Sequence, residues 1–65
     1  MIEFTNDKGY KVLLRREDIR SIFDVEGKGM RVINFFAGDK SMEIWTRESM
    51  QSINERLRDA EEGEK

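Results

Sequence analysis

The sequence predicts an α+β fold, a five-stranded antiparallel β-meander followed by one C-terminal α-helix packed on one face. Three observations predict it. Apolar and polar residues alternate at period two through much of residues 1–46, and clusters rich in Gly, Asp, Asn and Lys interrupt that alternation at residues 6–9, 27–29 and 37–41. From Met50 onward the apolar spacing changes to the 3.6-residue period of a helix.

Residues 1–5 form the first predicted strand, with Ile2 and Phe4 on one face and Glu3 and Thr5 on the other. Asn6-Asp7-Lys8-Gly9 supplies turn residues, after which Tyr10, Val12 and Leu14 face one way and Lys11, Leu13 and Arg15 the other. The first two strands therefore form a hairpin. Arg16-Glu17-Asp18 is a short polar turn, and Ile19, Ile22, Phe23 and Val25 mark a third strand that Gly27-Lys28-Gly29 joins to a fourth beginning at Met30. Val32, Ile33, Phe35 and Phe36 lead into Ala37-Gly38-Asp39-Lys40-Ser41, where Gly supplies the positive φ of a tight reversal. Met42, Ile44 and Trp45 resume the strand pattern. Met50, Ile53 and Leu57 then fall at i, i+3 and i+7, with Ala60 a further turn along, which is one apolar stripe of a helix. Thr46 is the predicted N-cap, accepting from the Ser49 amide, and Glu48 suits the positive end of the dipole, so the helix should begin near Arg47. Residues 1–58 read as one small β-rich domain with its helix, and residues 59–65 as an acidic, frayed tail.

A sheet covered on one side should show a polar second face, and this one does not. Leu13 opposes Val12 and Leu14, Ile33 opposes Val32, Phe35 opposes Phe36, and Trp45 opposes Ile44. The fourth strand offers two large residues in either phase, so the sequence leaves its inner and outer sets open. One helix stripe cannot cover both faces. A chain of 65 residues hides only roughly 60% of its unfolded surface, and contiguous apolar surface left outside marks an interface, where Trp is enriched. Leu13, Ile33, Phe35, Phe36 and Trp45 are the candidate interface residues, and a homodimer with a further protein partner is the expected assembly. The alternative is a strongly coiled sheet that wraps these side chains into a single core.

Met1-Ile2-x-Phe4-Thr5, the Gly9 turn, Val12-x-Leu14, Asp18-Ile19-x-x-Ile22, the Gly38 turn and Arg47-Glu48-Ser49-Met50-x-x-Ile53 form a pattern. Over about residues 1–57 it resembles the small FlbD/SwrD-type proteins linked to flagellar motility, and similar short chains occur among phage and prophage reading frames. The chain differs from that pattern in a longer third-to-fourth strand hairpin, in Phe35-Phe36 and Trp45, and in its acidic end. The resemblance implies a non-catalytic accessory protein that binds a cellular protein, as a motility factor or as a phage-encoded inhibitor of a host protein.

The residues themselves argue against enzyme chemistry. With no Cys and no His, the chain lacks disulfides, thiolate metal ligands and the commonest general base. Asp18, Asp24, Glu26 and Glu43 lie in polar stretches beside Lys or Arg, and solvated surface charge explains them. Gly27-Lys28-Gly29 lacks the spacing of a phosphate loop, and Asp7 and Asp39 lack that of a calcium loop. No cofactor or metal is expected. Single-stranded nucleic-acid binding is the alternative function, carried by Lys11, Arg15, Arg16 and Arg20, with Lys8 and Arg47 nearby and Tyr10 and Trp45 as stacking rings. Glu17, Asp18, Glu43 and Glu48 interrupt those regions, and 12 basic against 14 acidic residues give no basic excess. A salt-bridge-laced surface, with Tyr10 in the core, accounts for the same residues, so nucleic acid is the less favoured partner. No apolar run approaches the roughly 18 residues of a membrane span, and no basic and apolar leader opens the chain. The expectation is a soluble cytoplasmic protein.

Overall fold

The computed structural model describes residues 1–63, with side chains as far as Ala60. Five antiparallel strands and one C-terminal helix make an α+β fold. β1 (Ile2–Thr5) pairs with β2 (Lys11–Leu14), while β3 (Ile19–Val25), β4 (Met30–Ala37) and β5 (Lys40–Thr46) form a separate sheet in the order β3-β4-β5. The expected single meander is corrected here to two sheets. Between β2 and β3 the chain makes a 3-10 turn at Arg16–Asp18, closed by the Asp18 amide donating to the Arg15 carbonyl at 3.0 Å. The turn replaces a hairpin, and β2 and β3 are not ladder partners.

Two of the three hairpins show a local cause. In the first, Asn6 Oδ1 accepts from the amides of Lys8 at 3.0 Å and Tyr10 at 2.9 Å, while Gly9 takes φ of 88°. This loop holds Tyr10 outside the strand at 68% exposure, which corrects its assignment to the β2 core face. In the β4–β5 hairpin, Ala37 pairs with Lys40 across a two-residue loop, and Gly38 alone has positive φ, 67°. Those signs define a type II′ turn, whose twist matches the flanking strands.

The core joins both sheets and the helix. Ile2, Phe4 and Leu14 from the β1–β2 hairpin meet Ile33 and Phe35 from β4 and Ile53 from α1 (Met50–Gly63), with Val12, Ile19, Ile22, Ile44, Leu57 and Ala60 around them. Ile53, Leu57 and Ala60 of the helical stripe therefore pack as the spacing predicts, while Met50 is not part of this cluster. The helix start differs from the expectation. Ser49 is the N-cap, its Oγ accepting from the Ser52 amide at 3.1 Å, and the helix begins at Met50 instead of near Arg47. The boundary drawn after residue 58 falls inside α1; Glu64 and Lys65, with the side chains of residues 61–63, lie outside the described residues.

Thr46 has a different task. Fully buried, it donates from Oγ1 to the Thr5 carbonyl at 2.7 Å and accepts from the Glu48 amide at 3.2 Å. Glu48 Oε2 accepts from the Thr5 amide at 3.2 Å, and its Oε1 lies 2.7 Å from Arg56 Nη1, which also donates to the Glu3 carbonyl. This polar clasp ties the β1 edge to the β5–α1 junction.

Candidate interaction surface

The register of β4 decides which side chains remain outside. Ile33 lies between Ile22 and Ile44, and Phe35 between Ile19 and Met42, so this phase faces the hairpin and helix. Alternation then sends Met30, Val32, Asn34 and Phe36 to the opposite, open face. Across the strands, Met30 pairs with Val25, Val32 with Phe23 and Trp45, and Asn34 with Ser21 and Glu43. An apolar patch of Phe23, Val25, Met30, Val32 and Trp45 thus occupies the end of this face nearest the β3–β4 turn. Val32 is only 2% exposed although it lies outside the main core cluster, while Phe23 beside it is 49% exposed.

A polar row separates this patch from the other end of the face, where Asn34 Nδ2 donates to Ser21 Oγ at 3.1 Å. A register shift between Ile19 and Ser21 leaves Arg20 as an extra residue in β3. Its guanidinium sits 4.5 Å from the Phe36 ring centroid. Arg20, Ser21, Asn34 and Ser41 line an open cavity of about 260 Å³ here.

The predicted interface residues are therefore divided. Ile33 and Phe35 are core residues, at 0% and 7% exposure. Phe36 stands at one end of the open face and also lines, with Leu13, Met1 and Ala37, a groove of about 310 Å³, and Trp45 stands toward the other end of the open face. Phe23, Val25 and Met30 are the apolar neighbours that sequence reasoning did not assign to the surface. Their signal is phase, since Phe23 and Val25 alternate against Ile22.

The basic candidates are likewise dispersed. Lys11 Nζ lies 3.1 Å from Glu3 Oε1, and Arg15 Nε 2.8 Å from Asp18 Oδ2 with Glu17 at 3.8 Å. The Asp18 hydrogen bond, followed by the charges of Asp18 and Glu17, raises the Arg15 pKa. Arg20 covers Phe36, and Arg16 is half-buried in the 3-10 turn. Among the described residues no three His, Cys, Asp or Glu are grouped to hold a metal ion, and no helix is long and apolar enough to cross a membrane. No family model, curated protein or solved structure matches the chain.

Proposed function

We propose that this chain is a small, non-enzymatic, cytoplasmic interaction module that self-associates and binds a cellular protein partner. The observation that carries the reading is the apolar patch of Phe23, Val25, Met30 and Trp45 beside the buried Val32, on the side of the three-stranded sheet that α1 leaves uncovered. A domain this short has little core to spare, so large side chains outside it are best explained by a surface that is covered in use. Trp45 is the natural anchor, being large, rigid and only half-buried. The resemblance to FlbD/SwrD-type and short phage proteins supports an accessory role, as a motility factor or an inhibitor of a host protein.

Sedimentation equilibrium tests self-association. The expected result is a mass that rises with concentration and returns to that of one chain in Trp45→Ala, with the circular dichroism of the fold retained. A wild-type protein that stays monomeric at millimolar concentration would remove the self-association half of the reading. Native pull-down tests the partner half, and flagellar or phage genes on either side of the coding sequence separate the two accessory roles.

A further inference from the structure

We propose that the open face is covered by the same face of a second copy, packed about a two-fold axis that runs along β4. This rests on self-association and assigns its geometry. The face has four rows across β3, β4 and β5: Val25 and Met30; Phe23, Val32 and Trp45; Ser21, Asn34 and Glu43; and Arg20, Phe36 and Ser41. A two-fold along the central strand keeps the height of every row and exchanges β3 with β5. Phe23 then lies over Trp45 of the second copy, on either side of the axis and of Val32, which each chain already buries. Apolar rows cover apolar rows. An axis across the strands would instead lay the apolar rows over the polar ones.

Charge selects the same axis. The open face carries one cation, Arg20, on β3 and one anion, Glu43, on β5. Among the described residues neither is in an ion pair. Exchange of β3 with β5 sets Arg20 against the Ser41–Glu43 stretch of the second copy, twice by symmetry, so the face is complementary to itself in charge as well as in the height of its apolar rows. Two sheets stacked about 10 Å apart with nearly aligned strands have the reach for this contact.

The test combines charge reversal with the accessibility of Trp45, the only tryptophan in the chain. Arg20→Glu and Glu43→Arg should each weaken the dimer by at least roughly tenfold through like-charge opposition, and the double variant should restore most of the loss. Acrylamide quenching of Trp45 should fall as the wild-type protein is concentrated through its dimerisation range. Among the described residues the Glu43 side chain makes no hydrogen bond or ion pair, so Glu43→Arg keeps the test open if Arg20→Glu, which loses its stacking on Phe36, folds poorly. A dimer whose Trp45 is quenched equally at all concentrations overturns this face while leaving self-association intact. A dimer with protected Trp45 but no rescue in the double variant overturns the axis. A strict monomer overturns both the packing and the reading beneath it.

Discussion

Thr46 illustrates how much one hydroxyl carries in a core this small. Its donor and acceptor functions are both used at zero exposure, toward the Thr5 carbonyl and the Glu48 amide. Thr46→Val keeps the shape and removes the hydroxyl, leaving two backbone groups to find other partners. The expected loss is about 1–3 kcal/mol in urea unfolding. Thr46→Ser should lose less, since only a methyl goes. Equal stability of the Val variant and the wild type would mean that water replaces the hydroxyl and that the clasp is not structural.

At the scale of elements, α1 is set by a cap and a stripe, and the two are separable. Ser49 Oγ satisfies the Ser52 amide, one of the orphan donors at the helix start, and Ile53, Leu57 and Ala60 supply the packing. Ser49→Ala should cost about 1 kcal/mol, read as a lower thermal midpoint with unchanged helical signal in the native baseline. If Ser49→Ala is neutral while Thr46→Val destabilises, the helix start is held by the clasp instead of the cap. The exposed pair of Arg15 with Asp18 belongs to the 3-10 turn and shapes the β2–β3 connection, where solvent leaves it little net energy.

For the whole molecule, charge is dense and nearly balanced, with 12 basic against 14 acidic residues. Lys11 and Arg15 face Glu3 and Asp18, and Arg20 covers an aromatic ring, so these three basic candidates make no strip of one sign. Fluorescence polarisation with a labelled single-stranded oligonucleotide at low salt should therefore show no binding. Affinity that falls steeply with added salt and weakens in Arg15→Ala and Arg20→Ala would instead establish the nucleic-acid reading. Residues 58–65 account for the whole formal net charge of −2, so residues 1–57 are formally neutral.

What the sequence by itself determined is what depends on neighbouring residues: the five strands, the Gly turns, the helical stripe and the presence of large apolar side chains on both phases of β4. Alternation and turn chemistry act over a few residues, so they are legible without the fold. The tertiary structure alone decided three things. It chose the N-cap, because the Thr46 hydroxyl is taken by the Thr5 carbonyl 41 residues away, leaving Ser49 to cap α1. It divided the strands into two sheets, because the short 3-10 turn redirects the chain between β2 and β3. It also turned Ile33 and Phe35 toward the hairpin and helix, and Val32 and Phe36 to the opposite side of β4, where Val32 is buried and Phe36 exposed. Both phases of β4 are apolar, and only the docking of β1, β2 and α1 against one side breaks that symmetry.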